Sequence, residues 1–207
     1  MRKKIVNNKD IVELVVEKVA RSAPSSMSLR EHAHFEWQLH ELLRMWLGPE
    51  ALDDLIDALN EPDPHVRWCV VKALGFVGPG RAVPALVGAL RDTDDGVRKA
   101  ARVALRGVCR GEPSEEALGA LQSAVKHADS FIRESVIEAL GGLKSAKAME
   151  MVPELIRALR DPEKGVRKAA ASSLRRLTGK SFFFGGSDPE KWDKWWTENR
   201  ERLVEKS

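Results

Sequence analysis

The 207-residue chain has no tyrosine and only two cysteines. Cys69 and Cys109 lie in different segments, both at positions expected to be helical. That is no disulfide framework, and it fits a reducing compartment. No apolar run of the ~18 residues needed for a membrane span occurs. A signal core is also missing: Met1-Arg-Lys-Lys is followed by Asn7-Asn8-Lys9-Asp10, and Glu13, Glu17 and Lys18 interrupt what comes next. The expected location is the cytoplasm. Neither sign of charge dominates. The 34 Lys and Arg against 31 Asp and Glu leave +3, so bulk charge does not call for nucleic acid. A Gly-rich phosphate loop, a Ser-His-Asp set and a Cys-x-x-Cys pair are all absent. With no assembled residue set, the expectation is a protein that is not an enzyme and needs no cofactor.

What the chain does contain is repetition. Val66-Arg67, Val97-Arg98, Ile132-Arg133 and Val166-Arg167 follow Asp63, Asp94, Asp129 and Glu163 at one constant interval. The arginines are 31, 35 and 34 positions apart, a period that marks stacked solenoid units. Ahead of each phrase, apolar residues recur at helical spacing: Leu52, Leu55, Ile56, Leu59; Val83, Leu86, Val87, Leu90; Leu118, Leu121, Val125; Val152, Leu155, Ile156, Leu159. A short turn follows, with an Asp placed to accept from the free N–H groups of the next helix. Small residues then fill the middle of a second helix: Cys69-Val70, Ala100-Ala101, Ser135-Val136 and Ala169-Ala170. That helix ends near Gly75 and Gly78, Gly107, Gly141-Gly142 or Gly179. Each unit is a helix–turn–helix with one apolar side that only a stacked neighbour can bury. The expected fold class is all-α, an α-α superhelix of helix pairs.

These phrases resemble the HEAT repeat, in the short bacterial and archaeal form called the phycobilisome-lyase-like HEAT repeat. The matching stretches are Leu90-Arg-Asp92-Thr-Asp94-Asp-Gly-Val97-Arg98-Lys-Ala100-Ala101 and Leu159-Arg-Asp161-Pro162-Glu-Lys-Gly-Val166-Arg167-Lys-Ala169-Ala170, with Pro84 and Pro153 in the preceding helices. The resemblance implies a structural ladder between neighbouring repeats, made by Asp63, Asp94 and Asp129 with Arg67, Arg98, Arg133 and Arg167. It does not by itself license chromophore attachment, because phycobilin lyase subunits resemble this chain through the scaffold.

The chain divides into an N-terminal helical cap over 1–47, four repeats over 48–178, and a Phe/Trp-rich capping segment over 179–207, all in one solenoid domain. Trp192, Trp195 and Trp196 share one helical face behind Asp188-Pro189. With Phe183 they form either a lid folded onto the last repeat or an aromatic anchor for a partner. His32, Glu36 and His40 also share a face. The outer two are ~12 Å apart along the axis, a poor spacing for one metal ion.

The expected binding strip runs along the second helices at set intervals after each Arg. It comprises Trp68, Val71, Lys99, Arg102, Arg106, Glu134, Ile137, Lys168 and Arg175. An aromatic beside basic residues suits a protein partner offering an acidic or helical segment. The function expected from this is a non-enzymatic interaction scaffold or adaptor, with no membrane partner. Phosphate contacts by the basic residues make nucleic acid the alternative, although Glu134 interrupts the strip. A subunit of a lyase or metal-dependent enzyme is the more remote one.

Overall fold

The structure, a computed structural model, describes residues 51–77, 80–110, 114–143, 146–182 and 186–205. The N-terminal segment, with His32, Glu36 and His40, lies outside these, as does Phe183. The chain forms two compact units, Met1–Ala104 and Leu105–Ser207. Their described residues are helical, with no strand among them. The helices are α1 (Leu52–Asp57, extended by a 3-10 turn over Ala58–Asn60), α2 (Pro64–Val77), α3 (Val83–Ala89), α4 (Asp95–Val108), α5 (Glu115–Ala124), α6 (Ser130–Leu140), α7 (Val152–Ala158, after a 3-10 turn over Ala146–Met151), α8 (Lys164–Thr178) and α9 (Pro189–Glu205). The fold class is the expected one: all-α, built from paired helices.

Local chemistry explains where the helices start and stop. Asp63, Asp94 and Asp129 each accept a backbone N–H at a helix start, from His65 at 2.8 Å, Val97 at 3.0 Å and Phe131 at 2.8 Å. Pro84 and Pro153 stand in the first turns of α3 and α7, where a missing N–H costs nothing. Gly179 closes α8 in the left-handed region, at φ 67°, and its N–H donates to the Arg175 carbonyl at 3.0 Å.

In the first unit the apolar positions Leu52, Leu55, Val66, Leu74, Val83, Leu86 and Leu90 are buried. In the second, Leu118, Leu121, Ile132, Val136, Leu140, Leu155, Val166 and Leu174 are buried. Each such side chain contributes roughly 1.5–3 kcal/mol. Packing is closest where α6 meets α8. Ser173 Oγ donates to the Ile137 carbonyl at 2.8 Å. A Cβ on Gly141 would lie 2.6 Å from Ser173 Cβ and 2.7 Å from Arg176 Nη2. Gly141 has an ordinary φ of −67°, so its requirement is steric. Gly141→Ala is expected to destabilise by about 1–3 kcal/mol in a urea melt. Gly107→Ala, with nothing within 4 Å of its added methyl, is expected to be neutral or to stabilise by up to ~1 kcal/mol. An unchanged midpoint for Gly141→Ala would contradict the close approach.

The repeat arginines do two jobs. Each donates through Nη1 to two carbonyls of the turn before its own helix. Arg67 reaches Glu61 and Pro62, Arg98 reaches Asp92 and Thr93, Arg133 reaches His127 and Ala128, and Arg167 reaches Asp161 and Pro162. Two of them also bridge repeats. Arg67 Nε and Nη2 donate to Asp92, both at 2.8 Å, and Arg133 Nε and Nη2 donate to Asp161 at 2.7 and 2.9 Å. The ladder carboxylates are therefore Asp92 and Asp161, two residues upstream of Asp94 and Glu163. The expected set of Asp63, Asp94 and Asp129 is corrected here. Those side chains face the helix N–H groups one turn on, while the earlier position meets the guanidinium of the preceding repeat.

The hydrogen bond from Arg67 holds Asp92 below the usual carboxylate range. Burial alone would raise Asp161, but the Arg133 hydrogen bond and the Glu163 N–H hold it below that range as well. A lowered folded pKa gives stability that is present above the unfolded value near ~3.9 and is lost as pH falls through the folded value. The arginines are shifted upward by the same bonds, so their contribution is lost only in strong alkali. Stability to urea is expected to hold between about pH 5 and 7 and to fall below about pH 4, with a shallower acid limb in Asp161→Asn. An acid limb of equal slope in Asp161→Asn would contradict this assignment.

Candidate functional site

The expected strip does not appear as one face of side chains. In the first unit, Val71 is fully buried. One turn on, a Cβ at Gly75 would lie 3.1 Å from Ala104 Cβ, so this row faces α4 and not solvent. Ile137 in the second unit is fully buried for the same reason, because α8 packs over it. Both leave the set of surface residues and belong to the stacking seam, unlike Arg102 and Ala171, which hold the same position after Arg98 and Arg167 and are only partly buried.

Positions one after the Arg differ. Trp68 is half-buried, stacked on His65 at 5.8 Å, with Lys72 Nζ 5.0 Å from its ring. These contacts come from its own helix. Lys99 is exposed and its Nζ sits 2.5 Å from Asp95. Arg102 is half-buried. In the second unit, Arg106 is exposed and 3.8 Å from Glu138. Glu134 is partly buried, its carboxylate against Gly165 in the first turn of α8. A negative group there complements the helix N-terminus. Glu134 thus serves the contact between α6 and α8, a role its place in the strip did not announce.

Lys168 and Arg175 are exposed on α8, one helical face of which forms a wall of a cleft of about 550 Å³. The opposite wall is the segment that leaves α8 and turns into α9. From α8 come Lys164, Arg167, Lys168 and Arg175, with Ala171 and Ser172 between them. From the segment come Lys180, Ser181, Phe182, Gly186, Ser187 and Trp192. Five of these residues are cationic and none is acidic. Arg167 is tied to its turn carbonyls. Among the described residues, no carboxylate lies within ion-pair distance of Lys164, Lys168, Arg175 or Lys180.

The aromatic wall is firmly set. Trp192 is 1% exposed, and its indole N–H donates to the Gly186 carbonyl at 2.9 Å. Phe182 and Trp195 meet it edge to face at 4.9 and 5.6 Å. Asp188 starts α9 by accepting the Glu190 N–H at 3.0 Å, and Asp193 pairs with Arg160 at 3.0 Å. Trp195 and Trp196 are half-buried. Lys180 Nζ lies 5.2 Å from the Phe182 ring. Lys164, Lys180 and Phe182 were not in the expected binding set. The lysines of α8 were visible as one helical face, but the return of the chain over that face was not.

Cys109 offers no nucleophile, since burial pushes its thiol up to about 12. Among the described residues, no group of three His, Cys, Asp or Glu stands ready for a metal ion, and no helix is long and apolar enough to cross a membrane.

A family model for HEAT repeats matches residues 37–106 and 109–175. The chain belongs to the HEAT-repeat family. It is 30% identical over 197 residues to phycocyanobilin lyase subunit alpha of Microchaete diplosiphon, covering 84% of this chain and 63% of that relative. The chain therefore spans less than two thirds of the relative's length. Among solved structures, an engineered protein aligns with a TM-score of 0.50 at 18% identity, over 94% of this chain and 95% of its own. The complex of CpcE and CpcF of phycocyanin lyase from Nostoc sp. PCC7120 aligns with a TM-score of 0.49 at 22% identity, over 99% of this chain and 76% of that one. At 18% identity the engineered protein speaks to the fold alone.

The expectation of a protein that is not an enzyme is corrected by this finding, because the relative it matches is a lyase subunit. That expectation rested on missing local motifs. Solenoid surfaces are assembled from side chains one repeat apart, so a search for contiguous motifs has little to find.

Proposed function

We propose that this HEAT-repeat chain is a protein-binding subunit of a lyase-related assembly, holding an acidic partner on the exposed cations of its second helices. The observation that carries the reading is the division of labour along these helices. The repeat arginines are used on turns and ladder, while Lys99, Lys168 and Arg175 remain at the surface. The 30% identity to a lyase subunit supports the enzymatic context. Trp68 and Arg102 belong to the same proposal on the first unit, as a shorter patch beside Lys99.

The test is purification of the tagged chain from its own cells after nuclease treatment, with bound proteins identified by mass spectrometry. The recovered partner is then incubated with the chain and phycocyanobilin. Visible absorption that stays with, or leaves, the denatured partner polypeptide reports the lyase role. A nuclease-resistant partner whose bound chromophore changes only when the chain is present is the expected result. A partner lost on nuclease treatment, or one whose chromophore is indifferent to the chain, contradicts the reading.

A further inference from the structure

We infer that the cleft between α8 and the segment leading into α9 is an anion-binding site for a short, extended acidic segment of a protein. This deepens the proposed function and rests on the chain being a protein-binding subunit.

The charge is the first argument. Lys164, Lys168, Arg175 and Lys180 converge on one cavity, and among the described residues none has a carboxylate partner. Elsewhere in this unit several cations are paired, among them Arg133 with Asp161, Arg157 with Glu154 and Arg160 with Asp193. Like charges gathered without counter-charge destabilise a fold modestly, and an anion from outside relieves them.

Shape decides the kind of anion. Lys164 to Arg175 covers eleven helical steps, or roughly 16 Å at 1.5 Å per residue. A single carboxylate or phosphate reaches one or two of these cations at most. An extended peptide rises ~3.3 Å per residue, so about five residues span the row and bring two or three carboxylates to it. The opposite wall offers the half-buried Phe182 ring for an apolar residue between them.

The patch is also short. Glu163 precedes Lys164, and Asp193 follows Trp192, so acidic residues flank the lining at both ends of the sequence that forms it. A long polyphosphate needs a basic track that continues past the contact, with affinity growing with the number of phosphates neutralised. A confined row bounded by carboxylates favours a short acidic segment over nucleic acid.

The test uses the full chain and fluorescent peptides of about eight residues, by anisotropy at low and high salt. One peptide places Glu and Asp around a central Phe. A second replaces the acids by Gln and Asn. A single-stranded oligodeoxynucleotide of matched charge is the third probe. The acidic peptide is expected to bind saturably and to weaken as salt rises, with the neutral peptide at least about tenfold weaker. Lys168→Glu with Arg175→Glu is expected to weaken the acidic peptide by about tenfold or more. Both residues are exposed, and circular dichroism checks the fold. Lys164→Glu with Lys180→Glu repeats the measurement should the first pair fail to fold. The charge-matched control Arg110→Glu with Lys126→Glu lies outside the lining and is expected to stay within about threefold of wild type.

Equal binding of the neutral peptide, indifference to the cleft variants, or tighter binding of the oligonucleotide would overturn the assignment. The two readings separate cleanly. If the purified partner still binds the Lys168→Glu, Arg175→Glu variant and the peptide does not bind wild type, the cleft assignment falls, and the subunit reading stands only with Lys99, Trp68 and Arg102 as its contacts. If no partner protein is retained while the peptide behaves as expected, the subunit reading falls and the cleft's anion chemistry stands.

Discussion

Arg133→Ala is expected to cost about 3 kcal/mol of stability, because it leaves Asp161 without the guanidinium that neutralises it. The pair is bidentate, and the side chains are only 13% and 11% exposed. Removing one member of so enclosed a pair costs more than the pair itself contributes, since the remaining carboxylate stays out of water. The same change also frees the carbonyls of His127 and Ala128. In a unit of this size a loss of that order lowers the melting midpoint by roughly 10–20 °C.

Arg167→Ala supplies the comparison. Arg167 makes the same turn bonds, to Asp161 and Pro162, but pairs bidentately with no carboxylate among the described residues. Its loss is expected to be about half as large. Urea melts of both variants, with Asp161→Ala and the Arg133→Ala, Asp161→Ala double variant, complete a cycle. A coupling of about 2 kcal/mol between Arg133 and Asp161 is expected. Equal losses for Arg133→Ala and Arg167→Ala, with no coupling, would mean that the turn bonds carry the stability and the ladder does not.

Trp192→Ala is expected to cost about 3–5 kcal/mol in the second unit. Its side chain is the largest fully buried one among the described residues, and it meets Phe182, Trp195 and the Gly186 carbonyl together. Trp196→Ala, at a half-buried position, is expected to cost about 1 kcal/mol. Because Trp192 also lines the cleft, its removal is expected to abolish acidic-peptide binding as the aromatic wall loosens. Trp196→Ala is expected to leave binding intact. Chemical denaturation and the anisotropy titration read both effects. A Trp192→Ala protein with wild-type stability would mean that the segment does not depend on this ring for its docking.

The helix-pair rhythm was legible because its causes are local and repeated. The last apolar residues of the first helices, Leu90, Val125 and Leu159, stand in the structure as the residues that close α3, α5 and α7. The N-capping Asp residues were legible for the same reason. The choice between Asp92 and Asp94 as the Arg67 partner was not. Both are acidic, two positions apart, and only the placement of one repeat on the next distinguishes them. Val71 and Ile137 failed as surface residues because helical spacing identifies which residues share a face but not what covers it. Gly75 and Gly141, each one turn further along, sit where the neighbouring helix comes close, but Gly107 in α4 has no such neighbour, so a helical glycine alone does not mark the seam.

The cleft needed more than periodicity. Lys164, Lys168 and Arg175 share a face of α8 by spacing alone. Lys180 and Phe182 join them only because Trp192 draws the following segment back over that face. Three tryptophans at helical spacing announced an apolar helix, and the alternatives of lid and anchor were both open. The buried Trp192 beside half-buried Trp195 and Trp196 shows that one helix presents both kinds of environment.

The most direct measurement is nuclease-treated co-purification of wild type beside the Lys168→Glu, Arg175→Glu variant, with the bound partner quantified by mass spectrometry. A protein partner in stoichiometric amount on wild type, depleted about tenfold on the variant, is the result this account expects. Recovery of nucleic acid alone, or of the same partner in equal amount on both, would contradict it.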